Sequence, residues 1–182
     1  MQRLDPASTV ILVVDVQEKL ASAMPEATLA TLVKNTGILL DAAKILNVKV
    51  IASEQYPKGL GPTLPAIATK LEGAPYAKMT FDACSDLAIS RALSEIAPSA
   101  VVVTGMESHV CVFQTARELV RRGYTTHVVA DAVSSRKEEN RQLGLALAER
   151  AGAIITPAET VVFDLLGQAG TDAFKQISKL VR

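Results

Sequence analysis

"TVILVVD" (Thr9–Asp15) decides how the chain is read. The run is β-branched and apolar almost throughout, so it lacks the alternation of a strand with one wet face. It reads as a short strand covered on both sides, and it ends on a carboxylate. Working outward, "VKVIAS" (Val48–Ser53), "AVVVTG" (Ala100–Gly105), "THVVAD" (Thr126–Asp131) and "AIIT" (Ala153–Thr156) have the same character. Stretches with apolar residues at helical spacing separate them: Leu29–Leu46, Ser85–Ile96, Cys111–Gly123 and Glu138–Gly152, with two more before the C-terminus. Repeated strand–helix alternation predicts parallel strands covered by helices on both faces. With right-handed crossovers this is an α/β fold, a three-layer α/β/α sandwich on a mostly parallel open sheet.

The 182 residues suit a single domain spanning 1–182, long enough to bury a sizeable core. Hydrophobic residues make up 49% and aromatics only 4%, so the core is built from Ala, Val, Ile and Leu. Lys plus Arg and Asp plus Glu number 19 each, a balance that points away from nucleic acid and from anionic membranes. No apolar run approaches the roughly 18 residues a spanning helix needs. "MQRLDPASTV" lacks a basic segment followed by an apolar one, so no signal peptide is expected. Two cysteines do not make a disulfide framework and fit a reducing compartment. The expectation is a cytoplasmic protein.

In a sheet of this kind ligands sit beyond the carboxyl ends of the strands, so strand ends are where chemistry is sought. The first strand ends at Asp15. "APYAKMTFDAC" (Ala74–Cys84) carries Lys78 on a short extended piece, and the strand Ala100–Gly105 leads through a loop to Cys111. A carboxylate, an ammonium and a thiol would thus meet at one edge. A thiol at a helix start beside an ammonium is expected to ionise more readily. The carboxylate can take its proton and return it to a leaving group. N–H groups of the loop and first helical turn could hold an oxyanion. Together these describe acyl transfer through a thioester.

"ILVVDVQEKL", "YAKMTFDAC" and "VVVTGMESHVCVFQTARELVRRGYTTHVVADAVSSR" together resemble the isochorismatase-like cysteine hydrolase superfamily. "SEQYPKGLG" further resembles the isochorismatase domain-containing branch. The resemblance runs from about Val10 to the C-terminal helix and implies the isochorismatase-like hydrolase fold. It puts the family's catalytic aspartate, lysine and cysteine on Asp15, Lys78 and Cys111. It also implies a non-proline cis peptide at Met106–Glu107, with the N–H groups of Glu107 and Cys111 as oxyanion donors. The implied activity is hydrolysis of a small amide-type or related acyl substrate at a C–N bond, by a dimer or larger homo-oligomer. Two alternatives stay open: vinyl-ether cleavage of the isochorismate type on the same scaffold, and a non-catalytic interaction protein that kept the fold.

Gln17, Tyr56 and His109 are the candidates for lining the substrate pocket, with "EQYPKGLGPTLP" (Glu54–Pro65) as the irregular loop over the site. A Cys–His pairing of His109 with Cys111 is disfavoured, because residues two apart on a turn seldom reach each other. His127 reads as a strand residue without chemistry. Cys84 reads as packing, ahead of a Cys84–Cys111 redox pair. "SSRKEENR" (Ser134–Arg141) reads as a solvated helix start. Nicotinamidases of this superfamily carry metal-binding histidines after the second strand, where this chain has "SEQYPKG". No glycine-rich phosphate loop follows "ILVVD", and "GMESH" is not a serine-hydrolase elbow. No metal and no cofactor are expected.

Overall fold

Val10, Leu12 and Val14 belong to one buried cluster and Ile11 and Val13 to another, on opposite faces of β1 (Thr9–Val14). The run that opened the sequence is therefore a central strand with no exposed residue. The computed structural model describes residues 3–182. Beside β1 lie β2 (Lys49–Gln55), β3 (Tyr76–Lys78), β4 (Ala100–Met106), β5 (Thr125–Ser134) and β6 (Ile154–Thr156). The order is β3-β2-β1-β4-β5-β6, and every pairing between these strands is parallel. The order reverses between β1 and β4, so their carboxyl ends flank the crevice in which such sheets bind ligands.

Along the chain, α1 (Glu18–Ala21) and α2 (Glu26–Leu46) follow β1. The loop after β2 holds α3 (Pro57–Leu60) and α4 (Pro65–Ala68), each with proline in its first turn. Proline is tolerated there because the missing N–H has no intrahelical partner to lose. Of the segment Glu54–Pro65, expected to be irregular, Pro57–Leu60 and Pro65 are thus helical. Next come α5 (Leu87–Ile96), α6 (Phe113–Arg121), α7 (Glu138–Arg150), α8 (Ala158–Leu166) and α9 (Asp172–Leu180). Leu32 and Leu39 of α2, Val161 and Leu165 of α8 and Ile177 of α9 cover one face of the sheet. Ile89 and Leu93 of α5, Leu119 of α6 and Ala148 of α7 cover the other, completing three layers.

Two departures from the sequence reading bear on the crevice. Strand β5 continues past Asp131 to Ser134, because its register with β4 shifts between Val103 and Gly105. Arg141 of α7 donates to the carbonyls of Val133 (3.1 Å) and Ala130 on this stretch. The second departure is at Cys111, which does not open a helix. It lies in a π-helical turn, Ser108–Val112, that runs directly into α6. The carbonyl of Glu107 accepts from the N–H groups of both Val110 (3.0 Å) and Val112 (3.2 Å), which sets the wide turn.

Helix α7 packs against that turn through Gly144. A Cβ added there would lie 2.5 Å from the carbonyl carbon of Ser108 and 2.6 Å from His109 N. In an ordinary helix interior, glycine-to-alanine gains about 1 kcal/mol. Gly144→Ala is expected instead to cost on the order of 1–3 kcal/mol in urea unfolding, since backbone must shift to admit the methyl. A gain in stability would show that the turn gives way freely.

Candidate active site

Asp15 leaves β1 with φ 52, in the left-handed region that aspartate visits more readily than most residues. Its N–H donates to the Ser53 carbonyl (3.1 Å) at the end of β2. The carboxylate is wholly buried: Ser53 Oγ donates to Oδ1 (2.7 Å) and Lys78 Nζ donates to Oδ2 (2.7 Å). Lys78 arrives from the end of β3, and its side chain, like that of Asp15, has no exposed surface. Nζ also donates to Gln55 Oε1 (2.7 Å) and to the carbonyls of Thr80 (3.0 Å) and Phe81 (3.2 Å). The segment after β3 therefore wraps its backbone around the ammonium.

Cys111 comes from the other side of the crevice. Gly105 has φ 126, and a Cβ there would fall 1.9 Å from the Val14 carbonyl oxygen, so only glycine lets the ends of β4 and β1 approach this closely. The Met106–Glu107 peptide is cis, as the resemblance implied. Beyond it Cys111 faces the Asp15 carboxylate and Lys78, close enough for both charges and for the Glu107 N–H to act on its thiol. Asp15 thus stands between Lys78 and Cys111, and the three sequence candidates are together.

The thiol does not have the lowered pKa expected of it. Burial pushes Cys111 up to about 12, the Asp15 charge adds to the rise, and Lys78 and the Glu107 N–H only partly oppose it. The expectation weighed Lys78 and a helix start, and it left out the cost of ionising a thiol that is 6% exposed and faces a carboxylate. At neutral pH the site holds a protonated thiol facing a carboxylate. Cys84 is also pushed to about 12, by burial and then by Asp82, and both cysteines are free.

The remaining candidates have other duties. Gln17 is buried with its side-chain amide engaged: Nε2 donates to the carbonyls of Gln55 (3.0 Å) and Gly61 (2.7 Å), and Oε1 accepts from Gln55 N (2.8 Å). It braces the loop after β2 and presents no free polar atom to a pocket. Tyr56 is half exposed at the start of that loop. His109 is hydrogen-bonded to Ser135 Oγ (3.0 Å) and Asn140 Nδ2 (3.4 Å), so it ties the cysteine turn to the segment after β5. Sequence reasoning missed Ser53 and Gln55, which hold Asp15 and Lys78, although both stand at the end of β2. It also took "SSRKEENR" for a solvated start. Ser135 Oγ in fact accepts from Ser108 N (3.1 Å), and Arg136 Nε pairs with the buried Glu107 carboxylate (3.1 Å). Among the described residues no group of three or more His, Cys, Asp or Glu is arranged to hold a metal, and no helix is long and apolar enough to cross a membrane.

Fold and site together define a hydrolase of the isochorismatase kind. The Isochorismatase domain family matches residues 9–160, and the chain belongs to that family. It is 40% identical to the secreted isochorismatase effector Isc1 of Phytophthora sojae (strain P6497) over 186 residues, covering 99% of this chain and 87% of that protein. It is 37% identical to isochorismatase domain-containing protein 2 of Danio rerio, covering 98% of this chain and 89% of the relative. Among solved structures, that of the MAR1 ribonuclease of Caenorhabditis elegans superposes with a TM-score of 0.92 at 37% identity, over 99% of this chain and 92% of the other.

The raised thiols make stability depend on alkaline pH. Each ionises near its ordinary value of 9.0 when unfolded and near 12 when folded. Between those values the folded state binds more protons, so stability falls as pH rises, by up to about 1.4 kcal/mol per pH unit for each thiol. Urea unfolding of wild type and Cys84→Ala between pH 8 and about 10.5 should show a shallower decline in the variant. Parallel declines would mean that Cys84 titrates normally in the fold.

Proposed function

We propose that the chain hydrolyses the C–N bond of a small amide or related acyl compound through a covalent thioester on Cys111. The observation that carries this reading is the position of the Asp15 carboxylate, which faces Cys111 on one side and accepts from Lys78 Nζ (2.7 Å) on the other. The protonated thiol suits concerted activation. Cys111 Sγ bonds to the substrate carbonyl carbon as its proton passes to Asp15, and the carbonyl electron pair moves onto oxygen. Backbone N–H groups of Glu107 and Cys111 are the donors we assign to that oxyanion. The C–N bond then breaks, Asp15 returns its proton to nitrogen, and the amine leaves. Water attacks the thioester with Asp15 again taking a proton, the C–S bond breaks, and the proton returns to Cys111 as the acid departs. Lys78 stays paired with Asp15 throughout and limits the cost of moving charge in a dry site.

The reading includes a cytoplasmic location, supported by two free thiols, and a homo-oligomer, in which a subunit contact would cover the exposed Leu143, Leu147 and Phe163. We assign no cofactor to the reaction.

Turnover of a panel of small amides, carbamates and ureas, with RNA as a separate arm, tests the proposal. At least one small acyl compound should be hydrolysed, and rapid quenching should leave an acyl mass on Cys111. Asp15→Asn should lower kcat about 10²–10⁴-fold, and Cys111→Ala should abolish turnover. Hydrolysis surviving in a folded Cys111→Ala protein, or cleavage of RNA alone, would overturn the reading.

A further inference from the structure

A cavity away from the crevice lies on the α8 face of the sheet, beside β5 and β6. It has a volume of about 270 Å³ and lies between the start of β5, the end of β6 and α8. His127 lines it, paired in register with Val102, four residues before the end of β4 and so roughly 13 Å short of the crevice. His127 is 2% exposed, yet among the described residues nothing hydrogen-bonds either ring nitrogen. The same holds for Thr156 Oγ1, in a side chain that lines the same cavity. Buried polar groups are nearly always paired, so three such atoms on two residues that line one space are unusual. Burial, opposed by Asp164, holds the imidazole below its ordinary range, so it is neutral and offers one donor and one acceptor.

Charges of both signs line the same space. Asp164 of α8 anchors the N-terminal segment by accepting from Leu4 N (2.8 Å). Arg3, an exposed residue at the cavity's rim, lies against Gly167 at the C-terminal end of α8, where a Cβ would come within 2.5 Å of its Nη1. Its guanidinium thus meets the negative end of a helix dipole, and among the described residues it has no carboxylate partner. The volume equals about nine waters of liquid and is below the usual range for drug-sized ligands. One cation, one anion and a neutral donor–acceptor pair in such a space complement a small zwitterion.

We infer that the cavity bounded by Arg3, His127, Thr156 and Asp164 binds a free α-amino acid. The carboxylate faces Arg3, the ammonium faces Asp164, and the remainder reaches His127 and Thr156. Isothermal titration of the full chain with glycine, L-alanine, L-serine and L-asparagine tests this, with propionate and ethylamine as single-charge controls. Using Cys111→Ala protein throughout separates the outcome from turnover. At least one amino acid should bind with one-to-one stoichiometry, and both controls should be at least tenfold weaker. Arg3→Gln and Thr156→Val should each weaken binding about tenfold, while wild-type Cys111 should change it less than twofold. Three outcomes overturn the inference: no amino acid binds at about 10 mM, propionate binds equally well, or binding survives both variants. If His127→Leu raises the Tm while no probe binds the parent protein, the cavity holds water only.

Discussion

A carboxylate and an ammonium with no exposed side-chain surface govern the crevice. Two charges removed from water are tolerated only when geometry and further hydrogen bonds compensate for lost hydration. Asp15 and Lys78 meet that condition through Ser53, Gln55 and two backbone carbonyls, all brought in by the ends of β2 and β3. The pair therefore fixes register: Val14 lies beside Ser53, and Gln55 beside Lys78. Removing one partner would leave the other buried and uncompensated, a loss of about 3–5 kcal/mol. Lys78 is thus structural: it ties the ends of β2 and β3 to Asp15.

The thiol reaches this pair by topology. Because the strand order reverses between β1 and β4, the chain leaving β4 emerges next to Asp15. Gly105 closes the remaining gap, and Gly144 lets α7 press on the turn that carries the cysteine. The result differs from a thiol activated by a helix terminus alone. A terminus and a cation would favour a standing thiolate. Here burial and the neighbouring carboxylate outweigh them, so the sulfur keeps its proton.

Those features recorded in residue pattern were legible in the sequence. Continuous apolar runs marked strands covered on both faces, and the residues ending them, Asp15, Lys78 and the Cys111 segment, were the ones that converged. Features set by contact between distant segments were not legible. Gly144 reads as a weak spot in a helix until Ser108 is seen beneath it. Ser135 and Arg136 read as a cap and a solvated charge, because their partners, Ser108 and Glu107, stand 27 and 29 residues away in sequence. The thiol's ionisation was misjudged for the same reason. Its charged neighbours could be guessed from chain order, but the depth at which they meet could not.

The loop that frames the site is less independent than its sequence suggests. Gln17, two residues beyond Asp15, grips the backbone of Gln55 and Gly61. Glu54 Oε1 accepts from both N and Oγ1 of Thr63 (2.7 Å each), and an antiparallel bridge joins Gln17 to Thr63. The loop is thus fastened at both ends to the strand ends that carry Asp15 and the partners of Lys78. Gln55 belongs to both systems: its backbone holds the loop, and its side-chain oxygen accepts from Lys78 Nζ. A backbone shift between Gln55 and Gly61 is therefore transmitted to the ammonium. Variation that retunes what enters the crevice without disturbing the ion pair is confined to side chains that leave the backbone in place.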